Sequence, residues 1–266
     1  MKVDSMRILL FIPMYNCEKQ IVRVLAQLNS ETLTYINQVL IVNNRSTDNG
    51  EEAVISYAKL HPELTMKLLR NHENYGSGGS HKIAFNFAID NGFDYIIVLH
   101  GDDQGSIHDI IPYIKSGKAF KYDALLGSRF SKNSKLINYS KFRICGNHIF
   151  NAFMTVALGR KITDLGAGLN MYSVKFLSSR FYMSFINSLT FYVYLLIYIV
   201  YSKASFRFFS ITWREDDQVS NAKFLKQSME IFKIALGYVF NKKGTFQERG
   251  NEYSKIEYRS EIIYEQ

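Results

Sequence analysis

The sequence predicts an α/β protein built on a doubly wound, mostly parallel sheet, and three observations carry that reading. Short runs of apolar, largely β-branched residues alternate with segments whose apolar residues recur at helical spacing. Each run stops on turn-forming or acidic residues at its carboxyl end, which is where open sheets of this class bind ligands. At 266 residues, 47% hydrophobic and 15% aromatic, the chain can bury a large core and is too apolar to be disordered.

Ile8 to Ile12 reads as the first strand and ends at Pro13-Met14-Tyr15-Asn16. Proline has no N–H to donate and suits a strand terminus. Asn16 is placed to cap the next helix, whose apolar residues Ile21, Val24, Leu25 and Leu28 share a face. Val39 to Val42 is the second strand, ending in the polar turn Asn43-Asn44-Arg45-Ser46-Thr47-Asp48 before a helix over Glu51 to Leu60. Met66 to Leu69 is the third. The stretch Asn74-Tyr75-Gly76-Ser77-Gly78-Gly79-Ser80 then precedes a helix from about His81 to Asn91. Its glycines could let backbone approach a phosphate, but the spacing is neither a dinucleotide fingerprint nor a P-loop. A loop of glycine turns is the simpler reading.

Tyr95 to Leu99 is the fourth strand and runs into His100-Gly101-Asp102-Asp103-Gln104. In extended backbone Asp102 and Gln104 share one face and Asp103 takes the other. A carboxylate, an amide oxygen and a nearby imidazole suit a hard divalent cation that also takes oxygens from a substrate diphosphate. Solvated acids at an ordinary strand end are the alternative at this point.

Further on, Ile107 to Ile114 suggests a short helix, and Ala124 to Arg129 a strand ending on arginine. Arg143 to Leu158 carries apolar residues at helical intervals, read as core packing. Thr163 to Gly168 sets Asp164 beside two glycines. Thr190 to Tyr201 is a very apolar helix and Ser205 to Trp213 an aromatic strand. Residues 222–240 form an amphipathic helix, basic at Lys223, Lys226 and Lys233; a face on the core is its first reading and membrane-surface contact its second. Residues 1–240 are assigned to one domain. Residues 241–266 are assigned to a charged tail, mobile or used in an oligomer contact.

The net charge is +8, and because acids and bases cancel in the tail, the excess lies on the body. Such a surface attracts phosphorylated substrates or anionic lipid. The basic residues are scattered without a recognition motif, so nucleic acid is not expected as a partner. Cys17 and Cys145 match no zinc or redox spacing and read as free thiols of a reducing compartment. Met1 to Arg7 is polar, so no leader is expected. The longest apolar run, Phe191 to Tyr201, falls short of the about 20 residues that a membrane span needs. The expected location is the cytoplasm, including the inner face of the membrane.

In order, Pro13-Met14-Tyr15-Asn16, Val42-Asn43-Asn44-Arg45-Ser46-Thr47-Asp48, Asn74-Tyr75-Gly76, His100 to Gln104 and Gly127-Ser128-Arg129 resemble the inverting family-two glycosyltransferases. Within them the chain looks most like the branch that includes polyprenyl-phosphate sugar transferases, over about residues 7–240. The resemblance implies a GT-A fold that binds a nucleotide-diphosphate sugar across the carboxyl ends of the strands, with Mg²⁺ or Mn²⁺. It places Pro13, Tyr15 and Asn44 around the base and ribose, with Gly76 and Gly79 in the loop that follows. His100, Asp102 and Gln104 correspond to the metal motif that holds the diphosphate. Arg129 matches the arginine of a Gly-Ser-Arg motif, and Asp164 and Gly168 an Asp-x-x-x-Gly pattern on the acceptor side. Arg214, with Ser220 and Lys223, resembles a late basic motif near the phosphates.

Three residues depart from the family pattern. Cys17 stands where glutamate is usual, Asn43 where the first of two turn acids is common, and His100 where the first metal aspartate belongs. The last removes a negative charge and favours a cation tolerant of imidazole, such as Mn²⁺. The expected reaction moves a sugar to a glycan or to a lipid phosphate. A hydroxyl acceptor needs a base, for which Asp164 is the candidate. A lipid phosphate needs none, and Arg129, Arg214 and Lys223 would orient it. The other readings are a sugar-phosphate nucleotidyltransferase, a basic nucleic-acid-binding module and an inactive homologue. Against the first, Met14-Tyr15-Asn16-Cys17-Glu18 occupies the place of that enzyme's glycine-rich basic signature.

Overall fold

A computed structural model of the chain describes residues 5–217, 224–247 and 250–266. Its first half alternates as the sequence pattern requires: β1 (Ile8–Met14), α1 (Glu18–Leu25), α2 (Ser30–Leu33), β2 (Gln38–Asn43), α3 (Gly50–Leu60), β3 (Met66–Asn71), α4 (Gly76–Asp90) and β4 (Tyr95–Leu99). Then come α5 (Ile111–Lys115), β5 (Ala124–Ser128), β6 (Lys135–Ile137), α6 (Lys141–Leu158), β7 (Leu169–Ser173) and α7 (Val174–Leu177). The last part holds α8 (Phe191–Tyr201), β8 (Phe206–Ser210), β9 (Thr212–Arg214), α9 (Phe224–Phe240), α10 (Gly244–Gln247), α11 (Gly250–Tyr253) and β10 (Ser260–Glu265).

The main sheet has eight strands in the order β10-β3-β2-β1-β4-β7-β5-β8. β7 and β10 run antiparallel to their neighbours; the other pairings are parallel. β1 is buried on both faces, which is why it reads as a continuous apolar run. Leu10 and Ile12 pack into one core layer while Leu9 and Phe11 pack into the other. Leu9, Ile41 and Val98 are all fully buried, as the predicted parallel sheet requires. The chain winds outward from β1 to β3, then crosses back to β4 on the other side of β1. Strand order therefore reverses between β1 and β4, the crevice where such sheets take their ligands. Gly101 closes that crevice from below, and a Cβ there would lie 2.8 Å from the Pro13 carbonyl oxygen.

Several local expectations change. Asn16 does not cap α1: its φ is +49° and its Oδ1 accepts the Thr47 N–H. The Glu18 N–H goes instead to Asp48, a carboxylate borrowed from the next loop. The glycine cluster is the first turn of α4 and not a loop. Gly78 donates to the Asn187 carbonyl, and a Cβ on it would come within 2.7 Å of the Ile186 carbonyl, so the small residues serve close packing. The aromatic stretch 205–213 is two strands, with β8 in the main sheet and β9 paired to β6. Between Asp164 and α7 the sequence showed no strand, yet Leu169–Ser173 forms β7 with all five residues buried. Within the charged tail, Ser260–Glu265 pairs with β3 as an edge strand. No described helix is long and apolar enough to cross a membrane. Ser220 and Lys223 lie outside the described residues.

Candidate active site

The parallel strands deliver their carboxyl-terminal loops to one end of the sheet, and Asn44, Asp102 and Arg129 lie on three of them. Asn44 is buried and ties this end together. Its N–H bonds the Met14 carbonyl, its Oδ1 accepts from Asn71 Nδ2 and the Tyr75 N–H, and its Nδ2 donates to Asn74. Every polar atom of the side chain is therefore spent on holding the β1, β3 and α4 loops in register. Pro13 is half-buried and Tyr15 is exposed at the rim. Gly76, at φ +70°, packs against the Asn187 carbonyl, and Gly79 lies under Tyr75. Asn43 has a task that an acid could not perform: its Nδ2 donates to Glu51, itself paired with Arg70. That pairing holds the Glu51 carboxyl below its usual range, the Arg70 hydrogen bonds acting most strongly. An open polar cleft of about 370 Å³ runs beside this loop, lined by Arg45, Asp48, Glu51 and Arg70 among others.

At the exit of β4 the backbone turns, and the three motif residues part. His100 points inward, and its Nε2 lies 2.7 Å from the Tyr192 hydroxyl, which in turn lies 2.9 Å from Ser77 Oγ. The ring packs over Gly168, where a Cβ would come within 2.8 Å of it. Burial first, then the Arg129 charge, lowers the His100 pKa, with Asp102 opposing, so the imidazole is neutral at pH 7. His81 next to it is pushed down to about 3 by burial and by His100. Asp103 takes a left-handed conformation, φ +59°, which swings its carboxylate into the protein. There it accepts from Arg23 Nε at 2.7 Å, Arg214 Nη2 at 2.6 Å and Gln27 Nε2 at 3.0 Å. Arg214 is thus anchored to Asp103 and to its carbonyl, a structural pairing the late basic motif did not disclose.

The cation motif is reduced in consequence. His100 Nε2 is engaged by the Tyr192 hydroxyl, so that nitrogen is not offered to a cation shared with Asp102 and Gln104. Among the described residues no three His, Cys, Asp or Glu side chains gather as a metal cluster. Asp102 and Gln104 remain, both half-buried, with the Gln104 N–H closing a turn onto Asp102 Oδ1. One carboxylate and one amide suit Mg²⁺ or Mn²⁺ when a diphosphate completes the oxygen shell. Cys17 is buried under Gly101, and burial raises its thiol to about 12, so it takes no part as a thiolate.

On the other side of the crevice Arg129 and Asp164 meet. Asp164 Oδ2 accepts the Arg129 N–H and Nε, both at 2.8 Å; Oδ1 accepts Arg129 Nη2 at 2.7 Å and the Gly166 N–H at 3.1 Å. Burial works against the guanidinium charge and Asp164 more than offsets it, so the Arg129 pKa is raised. The ring of Trp213 lies 5.2 Å from the guanidinium. Four donors fill the carboxylate, which leaves it poorly placed to take a proton from an acceptor hydroxyl.

Sequence reasoning missed Tyr192, the partner of His100, Ser77 behind it, and the anchoring role of Asp103. Tyr192 sits in the run Phe191–Tyr201, where a hydroxyl is invisible to an apolar pattern. Asp103 was assigned to the far face by strict alternation, which fails once φ turns positive.

Comparison with known proteins agrees with this geometry. The family model described as glycosyl transferase family 2 matches residues 10–181. The undecaprenyl-phosphate 4-deoxy-4-formamido-L-arabinose transferase of Photorhabdus laumondii is 29% identical over 163 residues, 60% of this chain and 47% of that protein. The undecaprenyl-phosphate mannosyltransferase of Micrococcus luteus is 23% identical over 167 residues, 63% of this chain and 66% of its own. The chain thus spans less than two thirds of either relative. Among solved structures, TarS 1–349 of S. aureus in complex with UDP-GlcNAc superposes with a TM-score of 0.58 at 18% identity, covering 89% of this chain and 67% of TarS. Glucosyl-3-phosphoglycerate synthase of Mycobacterium tuberculosis, in complex with Mn²⁺, UDP-glucose and phosphoglyceric acid, gives 0.61 at 12% identity, covering 88% and 80%. With a family match over most of its sheet and the GT-A fold throughout, the chain belongs to glycosyl transferase family 2.

Proposed function

We propose that the chain transfers a sugar from a nucleotide-diphosphate sugar to a polyprenyl phosphate, with inversion at the anomeric carbon. The observation that carries the choice of acceptor is the saturated Asp164 carboxylate. A glycan hydroxyl must lose a proton as it attacks, and the acceptor side offers Asp164 in a state already bound by four donors. A phosphate monoester arrives as an anion and attacks without a base. The names of the two undecaprenyl-phosphate relatives support the same choice.

In this reading the donor lies across the β1–β4 crevice, with Pro13, Tyr15 and Asn44 shaping the nucleoside end and Gly76 and Gly79 in the adjoining helix turn. Asp102 and Gln104 would hold a divalent cation, as the Mn²⁺ complex of the mycobacterial neighbour suggests. That cation would neutralise charge on the departing diphosphate. Arg129 keeps its charge through Asp164 and presents the nitrogen Nη1, not committed to Asp164, to the acceptor phosphate. Arg214 and Lys223 remain candidates for the same anion, Arg214 from its anchored position on Asp103. The enzyme would work close to a membrane, where its acceptor resides.

The test is nucleotide release from a panel of nucleotide sugars with Mn²⁺ or Mg²⁺, offered either a short-chain, water-soluble prenyl phosphate or a soluble glycan. Release is expected only with the prenyl phosphate, and the product should show the opposite anomeric configuration to the donor. Turnover with the glycan and none with the prenyl phosphate overturns the reading.

A further inference from the structure

The helix α6 is 18 residues long and contains no acid. Asn151, Met154 and Leu158 are buried on one side, as a core-facing helix requires. Its opposite side is apolar as well: Phe142, Ile149 and Val156, seven residues apart, are 78%, 64% and 84% exposed. The sequence pattern was read as core packing, and for this face the structure corrects it. A seven-residue interval keeps three side chains in one line, so they form a stripe along the axis about 21 Å in length at 1.5 Å per residue.

The stripe has a continuation. Phe153, next to it around the helix, stacks on Phe232 of α9 with ring centroids 4.9 Å apart. Phe232 is 45% exposed, and Met229, Val239 and Phe240 on α9 are exposed too. The buried face of α9, with Ile234, Ala235 and Tyr238, is a separate one. Large exposed apolar patches on a single chain mark a surface that meets something. The charges at the ends of the two helices are cations, and the one acid on either helix, Glu230, is half-buried. Exposed Lys141 precedes Phe142, exposed Arg160 and Lys161 follow the end of α6, and exposed Lys242 and Lys243 follow Phe240. An apolar stripe ended by cations suits a bilayer of anionic lipid, with the side chains entering the acyl boundary and the bases at the headgroups. A second copy of the chain would set these like charges against one another.

We propose that the joined faces of α6 and α9 are a docking surface for an anionic membrane, with the Phe142–Ile149–Val156 stripe as its insertion edge. The proposal deepens the polyprenyl-phosphate reading by stating where the bilayer that carries such an acceptor meets the protein. The stripe-bearing helix adjoins the acceptor side: α6 sits between Arg129 and Asp164 in sequence, and Asn151 Nδ2 donates to the carbonyl of Thr163.

The test uses the full chain with vesicles of phosphatidylcholine containing roughly a third phosphatidylglycerol. Cosedimentation is expected at low salt and should weaken as salt rises, because the headgroup contacts are screened. Ile149→Glu combined with Val156→Glu should reduce binding about tenfold or more, since two carboxylates would enter the acyl boundary. Phe142→Trp should show a blue-shifted emission on adding vesicles, against the constant signal of the single native tryptophan, Trp213, which is buried. Release of nucleotide with the soluble prenyl phosphate needs no bilayer and should be unchanged in the Ile149→Glu/Val156→Glu protein. Absence of vesicle binding with that turnover intact overturns the surface and spares the acceptor. Binding that ignores both substitutions also overturns it. So does a dimer, seen by sedimentation, that these substitutions dissolve while vesicle binding is absent.

Discussion

In the proposed reading, single residues divide between those that face the donor and those that hold the frame. Asp102 and Asp103 are neighbours with opposite tasks. Asp102→Asn should lower nucleotide release by about 10²-fold while leaving the urea midpoint nearly unmoved, the magnitude being that of one lost electrostatic stabiliser. Asp103→Asn should show the reverse order of effects: it removes the buried charge that pairs with Arg23 and Arg214, leaving Arg23 to Asp217 and Arg214 to the Asp103 carbonyl. A fully buried pair costs roughly 3–5 kcal/mol to break. Both arginines are more than a third exposed, so about 2 kcal/mol is the expected loss, read from chemical denaturation. Lys82 supplies a pH test. Its ammonium is buried among the Phe185 carbonyl, Asn187 and the Tyr258 hydroxyl, and burial lowers it from an ordinary 10.5 to about 7. Between those values the unfolded chain binds the proton more strongly than the folded one, so stability should rise as pH increases from about 7 towards 10.5. Urea midpoints at pH 7, 8.5 and 10 for the parent and for Lys82→Met check this. The rise should be smaller in the variant, and equal slopes would remove Lys82 as its source.

At the scale of elements, legibility followed burial. β1, β2, β4 and β5 are buried on both faces and were plain as apolar runs, and their loops carried the motifs that place Asn44, Asp102 and Arg129 together. β7 was hidden because Leu169-Asn170-Met171-Tyr172-Ser173 mixes polar and apolar side chains, and Asn170 is satisfied inside the sheet by the Gly127 N–H and the Ala167 carbonyl. No pattern of hydrophobicity reports a hydrogen bond of that kind. The start of α4 was misplaced for a related reason: glycines read as turn formers until the partner they pack against is known. At Gly76 both causes act, since φ is +70° and a Cβ would lie 2.6 Å from the Asn187 carbonyl. Gly76→Ala should therefore cost at least about 1–2 kcal/mol, the penalty of a left-handed L-residue before the clash is counted. Circular dichroism melts should show it as a lower midpoint. An unchanged midpoint would mean that α4 can start elsewhere without loss.

Over the whole molecule, the two core layers are joined through one sheet, and the residues from Tyr253 onward belong to it. Tyr258 stacks edge-on against Tyr75, shares Asn187 with Lys82, and leads directly into β10. A chain ending at residue 253 should be less stable, and should self-associate as concentration rises, because β3 would become an open edge. Size-exclusion profiles at two concentrations read this out, and a monomeric, equally stable truncation would show that β10 only decorates the sheet. The antiparallel pairing of β10 with β3 also bears on time. Its partner strand, Met66–Asn71, is far earlier in the sequence, so the pairing is among the least local in the fold, and closing so long a loop is slow. During refolding β3 must wait with its outer N–H and C=O groups unpaired, in a sheet that is otherwise complete. That waiting species is the one prone to stick to its own kind, so refolding yield should fall with protein concentration even where the finished protein is inert.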